Sequence, residues 1–225
     1  MALQQDIQAG AFGGGLWLRT LPATVVKTLE SSAQTLELKA GQRFSEIGDT
    51  AHCLIGVNRG VLALHTDDQE RHDVIGHVFW PGDWFGVASV LIDTPRFLGS
   101  SALVDARVVL VTRRSIERIA QEQPILWRSV AVLAAQNAML ATRIARDNLL
   151  RSPTERCVAT LDRLVGRQSL PCDLPVTQGQ FAEICGLSRG AAAKVLARLE
   201  STGQISRGYA AIKVEEKFHG SANER

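Results

Sequence analysis

Arg189 and Lys194 are the side chains of this 225-residue sequence whose type and setting best suit chemistry. They lie within the stretch VTQGQFAEICGLSRGAAAKVLARLESTGQISRGYAAIKV, residues 176–214. Arg189 follows Ser188, a residue type that caps helices. A planar guanidinium at that point can pair with both O6 and N7 of a guanine. Lys194, five residues on, can reach a base or a phosphate. Thr177, Gln178 and Ser188 supply hydroxyl, amide and helix-start N–H groups that suit phosphate oxygens. Gly190 and the three alanines after it offer methyl contacts to thymine and few hydrogen bonds. The chemistry these groups suit is recognition of double-stranded DNA.

The elements that must position them are legible too. Thr177 and Gln180 form a capping box, so a helix begins at Gln178 and ends at Cys185-Gly186, where glycine allows a sharp turn. Ser188 caps a second helix that runs through Leu199 to about Thr202 and stops at Gly203. Ala182 and Ala192 are small, as closely crossing helices require. Two helices joined by a tight glycine turn describe a helix-turn-helix, whose second helix enters the major groove. Gly208-Tyr209 between two short apolar runs signals a hairpin and makes the motif winged. Upstream, Ser152-Pro153-Thr154-Glu155 opens a helix to about Val165, with a loop over 166–175.

Other chemistries find less support. The four cysteines, Cys53, Cys157, Cys172 and Cys185, form no C-x-x-C pair, which argues against zinc ribbons and thioredoxin-type sites. Free buried cysteine behaves as a small hydrophobe. Cys157 and Cys185 fall on the helices of the DNA-binding segment, so oxidation there would perturb docking. No metal site and no catalytic nucleophile–base set emerges. His65, His72 and His77 miss the H-x-H spacing of cupin enzymes.

Charge agrees with the DNA reading. The net of +2 is unevenly spread: residues 1–150 carry −1, residues 151–214 carry +4 and the tail carries −1. A basic segment around a helix-turn-helix is the electrostatic footprint of a nucleic-acid module. Composition, 45% hydrophobic and 21% charged, is that of a globular chain. No run reaches the roughly 18 apolar residues of a membrane span, and Met1–Gly15 does not read as a secretory signal. The expectation is a cytoplasmic protein with no membrane partner.

Residues 1–15 read as a mobile arm, and apolar positions from Leu18 to Leu29 as a helix behind Pro22. From about Thr35 to Thr112 short Val/Leu/Ile-rich runs alternate with turn signals, which reads as a β-sandwich or barrel. A single long helix is expected from about Arg114 to Leu150. Leu126, Val130, Leu133, Asn137, Leu140 and Ile144 repeat at spacings of 4, 3, 4, 3, 4, a heptad seam. A lone Asn in such a seam fixes register and two-strandedness, which points to a homodimer; a helix packed on its own barrel shows a similar stripe.

In its order of motifs the chain resembles the CRP/FNR family of bacterial transcription regulators. The resemblance rests on Ala40-Gly41-Gln42, Gly48-Asp49, Arg59-Gly60-Val61, the run from Pro81 to Gly86 (PGDWFG), the long helix, and Leu187-Ser188-Arg189. It implies an α+β fold. The expected parts are an N-terminal arm and helix (1–34), a double-stranded β-helix or β-roll of the cyclic-nucleotide-binding kind that senses an effector (35–113), a dimerisation helix (114–150) and a winged helix-turn-helix (151–225). It further implies a homodimer on a palindromic promoter site, with RNA polymerase as a partner and no enzymatic activity.

Departures from the family pattern bear on the effector. Gly86 is followed by Val87, where nucleotide-responsive members carry a Glu for the ribose. Arg96 falls where their phosphate-binding Arg lies, but Phe97 and Leu98 replace the small polar pair and are expected to fill space. Burying a phosphate without enough donors is costly, so cyclic AMP is not expected. Arg96, with Gly86, Val87, Phe97 and Leu98, keeps an anionic ligand open; a surface arginine is the alternative. No cysteine precedes Cys53, which argues against an iron–sulfur cluster. Haem remains open through His52, Cys53, His65, His72 or His77. Two rival functions stand beside the regulator: a ligand-binding module whose C-terminal helices make protein contacts, and a cupin-like enzyme.

Overall fold

In the computed structural model, which describes residues 10–50, 52–68 and 71–220, the turn signals of residues 35–112 separate eight strands. They are β1 (Gln34–Leu38), β2 (Arg43–Ser45), β3 (Cys53–Arg59), β4 (Leu62–Asp68), β5 (Arg71–Phe79), β6 (Trp84–Phe85), β7 (Gly99–Ala102) and β8 (Ala106–Thr112). They form two four-stranded sheets, ordered β1-β8-β3-β6 and β2-β7-β4-β5. β3 and β8 pair antiparallel, with Ile55 opposite Leu110 and Val57 opposite Val108. β3 is buried on both faces except at Arg59, which explains its nearly unbroken apolar sequence. Short helix Val87–Leu91 lies where the sequence allowed only a brief helical turn.

The chain divides into two compact units, one of residues 1–67 and 78–139, the other of 68–77 and 140–225. The first unit's core is built around Trp84. Its indole N–H donates to the Ala11 carbonyl at 2.8 Å, and Phe12 and Trp17 meet its ring edge to face, with centroids 5.2 Å away. Residues 10–15 are therefore not the mobile arm expected: Ala11–Gly14 form helix α1, and Ala11 and Phe12 are buried. Their burial of aromatic and apolar surface outweighs the freedom that glycine-rich chain would keep. Residues 1–9 of the expected arm lie outside the described residues. Helix α2 (Ala23–Ser32) adds Val25 and Leu29 to the same core.

Gly56 of β3 makes room for that indole. A Cβ there would stand 2.6 Å from Trp84 Cε2. Gly56→Ala is expected to lower stability by about 1–3 kcal/mol through overpacking. A denaturant midpoint equal to that of the natural chain would show that Trp84 can shift freely.

The single helix expected over 114–150 is two helices. α4, following the short helix α3 (Val87–Leu91), spans Arg113–Glu122, and α5 spans Ile125–Leu149. Pro124 separates them, since it lacks an N–H and disfavours helix in the residue before it. The heptad seam also needs correction at its first half. Leu126, Val130 and Leu133 are 0–3% exposed and belong to the core of their own unit, beside Trp17, Ile116 and Ile119. A side chain already sealed in its own chain cannot face a second copy. Asn137, Leu140 and Ile144 are half-buried.

In the second unit α6 (Pro153–Val165) starts at Ser152, whose hydroxyl accepts from Glu155 N at 3.3 Å. The loop read over 166–175 contains a strand, β9 (Cys172–Leu174), too short to show a period. α7 (Gln178–Ile184) and α8 (Arg189–Ser201) follow, then β10 (Ile205–Arg207) and β11 (Ile212–Val214). The last two form the hairpin, and β11 pairs with β9 to give the sheet order β10-β11-β9. Leu161, Leu164, Phe181, Leu196 and Val214 fill this core.

Candidate nucleic-acid interface and effector cassette

The helix-turn-helix is built by the local signals that predict it. Thr177 Oγ1 accepts from Gln180 N at 3.2 Å, and Gln180 Oε1 accepts from Thr177 N at 2.8 Å. The hydroxyl also donates to Gln180 Oε1 at 3.1 Å, so the Thr177 side chain is committed to the capping box. Gln178 opens α7 and is half-buried. Gly186 takes φ +59°, the left-handed conformation that a turn of this sharpness needs. Ser188 Oγ accepts from Ala191 N at 3.2 Å and so starts α8. Ala182 and Ala192, 1% exposed each, let the two helices approach.

Ala192, Val195, Leu196 and Leu199 bury one face of α8. The opposite face presents Arg189, Gly190 and Lys194, all exposed. The Arg189 guanidinium passes over the start of α7: a Cβ at Gly179 would lie 3.7 Å from its Nε. Among the described residues no carboxylate pairs with Arg189 or Lys194. Other cations of this unit are tied down. Arg207 bonds Glu200 through Nε at 2.8 Å, and Arg156 donates Nη2 to the Leu150 carbonyl at 2.6 Å. Arg198, exposed on α8 one turn after Lys194, adds a basic group that the sequence reading passed over; its i,i+4 spacing from Lys194 was the available signal. The wing carries a fully exposed Tyr209 at its tip.

The β-roll holds a second set of predicted residues. Gly86, at φ +86°, precedes α3, and a Cβ on it would come within 2.6 Å of the Cys53 carbonyl oxygen and 3.2 Å of Arg96 Nη1. Arg96 is 8% exposed, so the surface-arginine alternative fails. Its backbone is clamped to the 48–49 turn by Arg96 N to Asp49 O at 2.9 Å and Gly48 N to Arg96 O at 2.8 Å. Its Nη2 donates to Cys53 Sγ at 3.1 Å. Burial pushes the Cys53 thiol up, and the neighbouring guanidinium pulls the other way. Val87 is buried, as expected for a core residue. Phe97 and Leu98 do not fill the cassette: they are 62% and 38% exposed. Alternation along an extended segment turns Phe97 away from the side that Arg96 enters.

The histidines raised as haem ligands are engaged within the protein. His52 Nδ1 meets Ser89 O at 2.8 Å and its Nε2 lies 3.4 Å from Asp93. His65 Nε2 meets Ser101 Oγ at 2.7 Å, and His77 Nδ1 accepts from Arg163 at 3.1 Å. The His72 side chain lies outside the described residues. Among the described residues no cluster of three His, Cys, Asp or Glu is placed to hold a metal ion. None of the described helices is long and apolar enough to cross a membrane.

A β-roll, a long helix and a winged helix-turn-helix with free cations on its second helix define a DNA-binding transcription regulator. Residues 35–123 match the cyclic nucleotide-binding domain and residues 155–217 the Crp-like helix-turn-helix domain, and the chain belongs to the CRP/FNR family. It is 25% identical over 195 residues to the HTH-type transcriptional regulator Cmr of Mycobacterium tuberculosis, covering 87% of this chain and 78% of that one. It is 26% identical over 180 residues to a probable transcriptional activator of Rhizobium leguminosarum, covering 75% and 72%. In fold it resembles the c-di-GMP-responsive global regulator CLP of Xanthomonas campestris, with TM-score 0.70 at 18% identity over 87% of this chain and all of that one. FixK2 of Bradyrhizobium japonicum gives TM-score 0.70 at 20% identity over 82% and 93%.

Proposed function

We propose that this regulator acts in the cytoplasm as a homodimer on a twofold-symmetric promoter site, where it contacts RNA polymerase. Arg189 reads a guanine, while Lys194, the Ser188 cap and the start of α7 at Thr177 and Gln178 hold the phosphate backbone. The observation that carries this reading is the exposed, unpaired Arg189 at the front of a capped α8. The second copy lies along the exposed stripe of α5, flanked by Asn137, Leu140 and Ile144. The cassette around Gly86 and Arg96 takes no cyclic AMP, because its guanidinium is already directed at Cys53 and no acidic residue follows Gly86. The protein therefore binds DNA without an added nucleotide.

Selection of sites from a random duplex library, with no effector present, tests this. Enrichment of a palindrome is the expected result; a folded dimer that enriches nothing would refute it. Arg189→Ala should cost roughly 1–3 kcal/mol per half-site and relax preference at one guanine. An equal loss on every duplex would instead make Arg189 a phosphate contact. A Cβ on Gly190 meets nothing within 4 Å, so Gly190→Glu is accommodated. It should add preference for a cytosine, whose N4 amino group a carboxylate accepts from; an unchanged site logo would show that position 190 stays off the bases.

A further inference from the structure

Cys157 of α6 and Cys185, the last residue before the Gly186 turn, are both 0% exposed, and their thiols hydrogen-bond to one another. Arg156 clamps the same junction from the other side, donating Nη1 to the carbonyls of Cys185 at 3.4 Å and Gly186 at 3.3 Å. The two sulfurs belong to segments 28 residues apart in sequence that meet only through folding. Cys53 instead faces Arg96, and Cys172 lies in β9 beside Asp173.

We propose that Cys157 and Cys185 form a redox pair, oxidised by a peroxide to a disulfide that re-aims the recognition helix and weakens DNA binding. The effect on DNA rests on the regulator reading above; the chemistry of the pair does not. The two thiols are unequal. The hydrogen bond from Cys185 and the charge of Arg156 hold Cys157 below the usual thiol range, while the same bond and burial push Cys185 up. Cys157 is thus the attacking thiolate.

The steps balance as follows. The Cys157 thiolate attacks one oxygen of hydrogen peroxide, the O–O bond breaks, and the second oxygen leaves as water after taking a proton. Cys157 is then a sulfenic acid. The Cys185 thiol attacks that sulfur, the S–S bond forms, and the sulfenic oxygen departs as a second water with the thiol proton. Two electrons pass from the thiols to the peroxide. Burial slows access, but the pair lies one residue beneath exposed Gly186, so a local opening of that turn admits the oxidant.

A disulfide brings the sulfurs to about 2.05 Å, closer than any hydrogen-bonded thiol pair. Cys185 caps the end of α7, and Arg189 begins α8 four residues later. Drawing Cys185 toward α6 therefore tilts the turn that aims Ser188 and Arg189.

The test treats the full-length protein with hydrogen peroxide and maps its peptides without reduction, alongside affinity for the selected duplex. A Cys157–Cys185 linked peptide, with affinity weakened about tenfold or more and restored by dithiothreitol, is the expected outcome. Cys157→Ser and Cys185→Ser should each abolish the response; if either fails to fold, the peptide map of the natural chain still decides. Absence of the linked peptide, or its formation with unchanged affinity, would overturn the proposal. Failure of the reduced protein to bind any duplex would count against the regulator reading, and the peptide map would be scored independently of it.

Discussion

Asp147→Ala is expected to destabilise the C-terminal unit by about 3–5 kcal/mol, because it leaves a buried guanidinium without its counter-charge. Asp147 and Arg163 are 0% and 1% exposed at the side chain, and Arg163 Nε donates to Asp147 Oδ2 at 2.9 Å. Arg163 Nη1 donates in turn to His77 Nδ1 at 3.1 Å, which fixes the imidazole proton on Nε2. A second pair, Arg143 to Asp162 at 2.6 Å, adds to the positive field. Burial first, then Arg163 and Arg143, lower the His77 pKa to about 3, so the native imidazole is neutral.

The sign of the pH dependence follows. The unfolded histidine binds a proton near pH 6.5 and the native one near 3. Below pH 6.5 the unfolded state therefore holds the extra proton, and stability falls as pH falls, by about 1.4 kcal/mol per unit for this one group. The contribution is fully present above pH 6.5 and is lost progressively toward 3. His77→Gln keeps an acceptor for Arg163 and removes the titration, so its stability should be flatter between pH 6.5 and 4. Urea midpoints across that range measure it; parallel slopes for both proteins would mean that His77 titrates normally in the native state.

The sequence announced some of this architecture and not the rest, for physical reasons. Capping signals act between neighbours, so Thr177–Gln180 and Ser188 located α7 and α8 nearly to the residue. Turn glycines punctuated the β-roll for the same reason. The Arg163–Asp147–His77 network escaped notice because its members come from three distant segments and no period or spacing joins them. The same holds for Arg96 on Cys53, where the residue was picked out and its partner was not. Phe97 and Leu98 were misplaced because hydrophobicity says that a side chain prefers burial, not that the local backbone directs it inward. The heptad seam misled in a more instructive way. A helix can carry two apolar stripes, and the one with larger residues was taken by its own unit.

The second stripe predicts the largest effect on DNA. Trp127, Ala131, Ala135, Ala138, Thr142, Ala145 and Leu149 are all exposed on α5 and repeat at spacings of 4, 4, 3, 4, 3, 4. Small side chains at four of these positions allow two helices to approach closely, with Trp127 and Leu149 closing the ends. Ala135→Glu leaves the monomer intact, since the position is exposed and Glu favours helix. In a symmetric pair it sets two carboxylates against each other in a desolvated seam, at a cost of several kcal/mol. The expected result is a monomer by sedimentation. Affinity for the full palindrome should then fall by roughly 10²–10⁴-fold, because the second half-site is no longer bound at high effective concentration. Affinity for an isolated half-site should hardly change, which separates lost dimerisation from a damaged recognition helix. A variant that sediments as a dimer and binds the palindrome normally would place the second copy on another surface.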